Sequence, residues 1–156
     1  MKNILFALAL LSSLGLYSQK AEIKPTVIEL DSTFTKDEIY SSLKLFLVEY
    51  FVDANEVIQV DDKEQGVIVF KGTKRNYMKG IFGEKNPAGF WHFTGKFEIK
   101  DGRYRYSVYD IYVKQTYATT SAENVTGYNV KRLAELINEL DTAFGNIEFK
   151  KTNTDW

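Results

Sequence analysis

With 156 residues, 44% of them hydrophobic and 15% aromatic, the chain can build one packed domain; disorder is excluded, since it needs low hydrophobicity and high net charge. The 20 basic and 21 acidic residues leave a formal charge of −1, without the basic footprint that neutralises phosphates, so nucleic acid is not an expected partner. Cysteine is absent, which removes disulfide support and any Cys-ligated metal or redox chemistry.

The first 19 residues have the form of an export signal. Met1, Lys2 and Asn3 make a short positive start, and Ile4 to Leu16 form an apolar run broken by Ser12, Ser13 and Gly15. Tyr17, Ser18 and Gln19 then lead into polar chain. The run is too short to span a bilayer comfortably, and its flanks are those of a signal peptide. Cleavage is expected after Ser18 or Gln19. It would leave a domain over 20–156 with no integral membrane segment, and 19 basic against 21 acidic side chains. No Cys follows the apolar run to carry a lipid, so the expected product is periplasmic or extracellular and not a lipoprotein.

Thr26 to Leu30 form a short β-rich run. Residues 34–51, FTKDEIYSSLKLFLVEYF, follow with a helix start: Thr35 and Glu38 form a capping box, and Phe34 and Ile39 are spaced as a hydrophobic staple. Ile39, Leu43, Phe46, Leu47 and Tyr50 fall on one helical stripe. Residues 57–60 and 67–70 are β-branched runs joined by the polar loop 61–66. Residues 72–89, with four glycines and a proline, predict a long connection. Two long strands follow over 90–100 and 103–113, then a Thr, Ser, Ala and Asn-rich loop over 114–128. Val130, Leu133, Ile137, Leu140, Phe144 and Ile147 mark a second amphipathic helix. The domain core is expected over about 26–149, with a polar tail from 150 to 156. The order predicts an α+β fold: an antiparallel sheet of about five strands with two helices packed on one face and the other face open.

Asp101 and Gly102 place a two-residue type I′ turn between the two long strands. Lys100 then opposes Arg103, and every pair sums to 203. One face carries Ile99/Tyr104, Phe97/Tyr106, Gly95/Val108 and Trp91/Tyr112. The other carries Glu98/Arg105, Lys96/Ser107, Thr94/Tyr109 and His92/Ile111. A slip by one residue would mix apolar and polar sets, so the pattern pins the register. Gly95 leaves room for a bulky neighbour. Glu98 and Arg105 are placed as a cross-strand ion pair. Asp110 falls on the core face in this register. Either the strand bulges there and turns it outward, or the carboxylate must find a partner; both make it structural. The outer face turns apolar toward the base of the hairpin, through Phe90, His92, Tyr109, Ile111 and Val113.

The TKDEIY helix start and, above all, FEIKDGRYRYSVYDI resemble a Bacteroidota family of secreted, uncharacterised domains with a TATA-binding-protein-like fold. The resemblance covers about residues 26–149. It implies a sheet with helices on one side, implies no activity, and supplies no catalytic residues.

Chemistry-bearing patterns are sparse. His92 is the single histidine, so His relays and His-based metal sites lack partners. Asp61, Asp62 and Glu64 do not have calcium-loop spacing and read as a solvated loop. No G-x-S-x-G, P-loop or dinucleotide fingerprint occurs. Lys71, Lys74, Arg75 and Lys79 make a short basic run of the kind usually solvated. No catalytic residue, metal or cofactor is expected. Two functions remain. One is a non-catalytic binding module, meeting an envelope protein, peptide or glycan through His92, Tyr109 and Ile111 beside Tyr77 and Phe82. The alternative is a glycan hydrolase pairing Asp110 with a loop acid, which would need two carboxyls about 5–9 Å apart. Asp101, Gly102, Glu98, Arg105 and Asp110 are assigned structural roles.

Overall fold

The computed structural model describes residues 21–51, 57–115, 119–121, 124–125 and 128–149. The expected signal segment and the tail lie outside them. Six antiparallel strands form one sheet: β1 (Ile23–Glu29), β2 (Ile58–Asp62), β3 (Val67–Lys79), β4 (Lys85–Lys100), β5 (Arg103–Lys114) and β6 (Thr119–Ser121). Helix α1 (Lys36–Tyr50) follows β1, and α2 (Tyr128–Gly145) is the last element of the described chain. The sheet order is β1-β5-β4-β3-β2, with β6 also pairing β5. Among the described residues no helix is long and apolar enough to cross a membrane.

The capping box at α1 forms as the sequence requires: Glu38 N donates to the Thr35 hydroxyl and Thr35 N donates to Glu38 Oε2. Ile39, Leu43 and Leu47 are fully buried. From α2, Leu133, Leu136, Leu140 and Phe144 are buried; Leu136 extends the expected stripe and Val130 departs from it, half exposed. Phe144 is the hub, with the rings of Phe46, Tyr50, Phe70, Phe97 and Tyr106 all between 5.6 and 6.1 Å away. Two sheet tyrosines tie α2 down through their hydroxyls. Tyr104 donates to the Phe144 carbonyl at 2.7 Å, and Tyr106 donates to the Asp141 carboxylate at 2.8 Å. Burial raises both phenols, that of Tyr106 to about 12 with the Asp141 carboxylate as second cause, so they remain donors at any physiological pH.

The sheet's core face also explains two glycines. Phe70 pairs with Gly95 and Phe93 with Gly72 across β3 and β4, and each ring lies over its partner glycine. A Cβ at 95 would meet the Phe70 ring at 2.1 Å, and one at 72 would meet Phe93 at 2.2 Å.

The β4–β5 hairpin turns at Asp101 and Gly102, pairs Lys100 with Arg103, and keeps the expected register back to Thr94 and Tyr109. The turn is not type I′, because that type needs positive φ at both central residues and only Gly102 (φ 67) has it. Asp101 has another task. Its carboxylate accepts Lys36 N at 2.7 Å, supplying an anion to the first turn of α1, where backbone N–H groups are unpaired. Gly102 N also donates to the Phe34 carbonyl at 2.9 Å. The hairpin tip therefore seats the helix.

Three expectations change. Residues 72–89 are not a connection: β3 and β4 run on through them, and only 80–84 form the turn. Part of the 114–128 loop is β6. Asp61 and Asp62 lie in β2, and Asp61 is bonded by Tyr40 Oη and, at 2.7 Å, by Lys44 Nζ.

Candidate functional site

Among the described residues the helices leave one sheet face uncovered. Its half nearest the Asp101 turn is closed by charge pairs. Arg105 meets the Glu98 carboxylate through Nη2 at 2.7 Å and Nε at 2.9 Å, and Lys96 meets it at 3.2 Å. Partial desolvation pushes the Glu98 carboxyl up, but these bonds outweigh it and hold the group below its ordinary value. A shallow depression of about 420 Å³ lies over this half, lined by Val27, Val67, Glu98, Lys100, Arg103 and Arg105.

The other half is aromatic, because the strand changes parity there. Beyond Thr94/Tyr109 the pairing shifts by one: His92 opposes Tyr112, Trp91 opposes Val113 and Phe90 opposes Lys114. The extra residue is Asp110, which has φ 52 and is exposed. Of the two routes open to this carboxylate, the chain takes the bulge. The consequence corrects the expected outer face. Ile111 and Val113 turn inward and are 4% and 0% exposed, so Ile111 belongs to the core. Tyr112, expected inside, faces out and stacks on His92 at 4.9 Å with an interplanar angle of 12°. Thr73 Oγ1 stands 3.3 Å from His92 Nδ1. The imidazole sits below its ordinary pKa, first because it is partly buried and second because of the Lys114 charge. Phe90, 43% exposed, extends the strip, with the Arg75 guanidinium 5.7 Å from its ring centre. Tyr109, half-buried and paired with Thr94, lies on the same face.

The strip runs into an arm. Past Arg75/Phe90, β3 and β4 pair only with each other among the described strands, through Tyr77/Pro87, Met78/Asn86 and Lys79/Lys85. At about 3.3 Å per residue this two-stranded ribbon is roughly 15 Å long. Gly80 N donates to the Glu84 carbonyl and closes it. At the tip, Ile81 and Phe82 are 97% and 95% exposed. The expected site residues are thus sorted: His92 and Tyr109 share the open face, Tyr77 and Phe82 lie on the arm, and Ile111 is buried. Phe90 and Tyr112 complete the strip.

Among the described residues no three His, Asp or Glu side chains gather in a way that could hold a metal ion. Asp110 and Glu22 line a separate depression of about 390 Å³ beside Tyr109.

The arrangement of strands and helices matches a known domain. Residues 25–114 match the family model described as a domain of unknown function, DUF4468, with a TBP-like fold. The chain belongs to this family. Two solved structures are similar in fold. A DUF4468 family protein from Bacteroides ovatus has a TM-score of 0.59 and 11% identity, covering 80% of this chain and 86% of its own. A TBP-like protein from Parabacteroides distasonis has a TM-score of 0.57 and 15% identity, covering 83% and 97%. No curated protein matches the sequence. The DUF4468 match ends at Lys114, the last residue of β5, so it includes the strip and the arm but leaves β6 and α2 outside.

Proposed function

We propose that this DUF4468 chain is an exported, non-catalytic binding module of the bacterial envelope. Its uncovered sheet face would take a protein, peptide or glycan. The observation that carries this is the ring strip of Phe90, His92, Tyr112 and Tyr109, which no element among the described residues covers. Monomers seldom leave contiguous apolar surface without a use for it, and rigid rings give contact area at little entropic cost. Export rests on the signal-like residues 1–19. The name of the fold refers to a DNA-binding protein, but fold alone does not assign a ligand, and a net charge of −1 does not favour a polyanion.

The test is affinity capture from an envelope extract, comparing the wild type with His92→Ala/Tyr112→Ala. Both side chains lie on the surface, so the variant is expected to keep the wild-type circular dichroism spectrum. A reproducible partner retained by the wild type and lost by the variant supports the reading. Equal capture by both removes the open face as the site.

A further inference from the structure

We propose that the tip of the β3–β4 arm inserts into an anionic lipid surface, with Ile81 and Phe82 as the apolar wedge and the basic residues of the arm as its collar.

Three observations converge on this. First, the tip is convex. Ile81 and Phe82 are the most exposed large hydrophobic side chains of the described protein, at 97% and 95%, and Met78 behind them is 53% exposed. A convex pair at the end of a narrow ribbon suits a deformable apolar phase. Second, the tip is preformed. Gly80 N donates to the Glu84 carbonyl at 2.8 Å, and Gly83 N donates to the Gly80 carbonyl at 3.0 Å. The Glu84 carboxylate folds back to accept Phe82 N at 3.1 Å. The turn thus uses its own acid internally, and little ordering remains to oppose insertion.

Third, charge is segregated. From Arg75 to Phe90, the arm with its root, there are Arg75, Lys79 and Lys85 against Glu84 alone, a net +2 in a chain whose total is −1. Lys79 and Lys85 are register partners on the strands that enter and leave the turn. Arg75 at the root is exposed, whereas Lys74 is turned to the helix face, where it pairs with Glu139 at 2.9 Å, and Lys71 lies back in the sheet opposite Thr94. Apolar residues at a tip with cations behind them is the pattern that enters the boundary between headgroups and acyl chains.

The experiment uses the full chain carrying Phe82→Trp, with phosphatidylcholine vesicles prepared with and without phosphatidylglycerol, and with brominated acyl chains as quenchers. Tyr112→Trp on the open face is the control. Both variants keep the native Trp91 and Trp156 and the apolar run at residues 4–16, so the quenching that Phe82→Trp shows beyond its control reports the depth of position 82. The expected result is a blue shift and bromine quenching for Phe82→Trp beyond those of Tyr112→Trp, an excess that requires phosphatidylglycerol and weakens with salt. Adding Lys85→Gln should weaken the interaction about fivefold. Adding Ile81→Ser should weaken it about tenfold or more, with an unchanged circular dichroism spectrum. Quenching absent from anionic vesicles overturns the proposal, as does quenching equal on zwitterionic ones. Self-association that depends on Ile81 and Phe82 in the absence of lipid would assign the tip to a second copy of the chain, and would overturn it too.

Discussion

Gly95→Ala should destabilise the protein, although alanine is the better residue in most strands. The added Cβ would lie 2.1 Å from the Phe70 ring, where carbon atoms rest at about 3.5–4.0 Å. The ring has little room to yield. It is fully buried, stacked on Phe97 at 5.3 Å, and held by Phe144 at 5.7 Å and Phe51 at 5.8 Å. Overpacking of this kind costs about 1–3 kcal/mol. Removing a glycine from the unfolded chain returns about 0.4–1 kcal/mol. An approach this close to a ring so held belongs in the upper half of that overpacking range, so the net loss is about 1–2.5 kcal/mol, or a fall in Tm of about 2–10 °C for a domain of this size. Urea unfolding followed by circular dichroism gives the first number, and a double-mutant cycle identifies its source. Phe70→Leu opens space over position 95, so the double variant should lose less than the two single losses together, by about 0.5–3 kcal/mol. A Gly95→Ala protein as stable as wild type, or strict additivity with Phe70→Leu, would show that the ring does not require the glycine.

Asp110→Asn should change stability by less than about 0.5 kcal/mol, because the side chain is exposed and Asn tolerates a positive φ; a β-branched Asp110→Val should cost about 1–3 kcal/mol. Urea titration of both variants tests this, and a large loss with Asn would mean the carboxylate is bonded after all. Asp61→Asn should cost about 0.2–1 kcal/mol at neutral pH, the scale of a largely exposed ion pair. Lys44 first, and Tyr40 second, hold this carboxyl below its ordinary value of 3.8. Its contribution is therefore full above that value and fades as pH falls through the lower folded one, so the gap between wild type and variant should close in acid; a gap that persists at the acid end counts against it. The single histidine gives one NMR titration, expected to have its midpoint below 6.5 because partial burial and Lys114 disfavour the charged ring. A neutral-favouring fold gains from His92 above 6.5 and loses that gain below it. A midpoint at or above 6.5 contradicts the stacked, partly buried placement.

How far the sequence could be followed depended on whether local chemistry or distant pairing decided each element. Helix α1 was legible to its cap, because Thr35 and Glu38 act within one turn. The hairpin register was legible because face segregation over residues 94–109 tolerates no slip. The arm was missed because glycine and proline outweighed the β-capable residues between them, and the two-stranded pairing that orders 72–89 cannot be inferred from one strand alone. Asp110 was the signal for the bulge, an acid in an apolar row. The inversion of Ile111, Tyr112 and Val113 follows from the bulge, whereas unbroken alternation puts Ile111 outside and Tyr112 inside. The link from Asp101 to Lys36 spans 65 residues, beyond any local pattern.

The bulge at Asp110 also bears on ancestry. Before it, even-numbered residues of β5 face the helices; after it, odd-numbered ones do. A relative without the extra residue would keep the same shape with one position fewer. An alignment that ignored the step would match core residues to surface ones from there to the end of the strand. At 11% and 15% identity to the solved structures, few matches anchor such an alignment, and the step would mispair Ile111 to Lys114. Homology among such chains is better traced by which way a side chain points than by its place in the count.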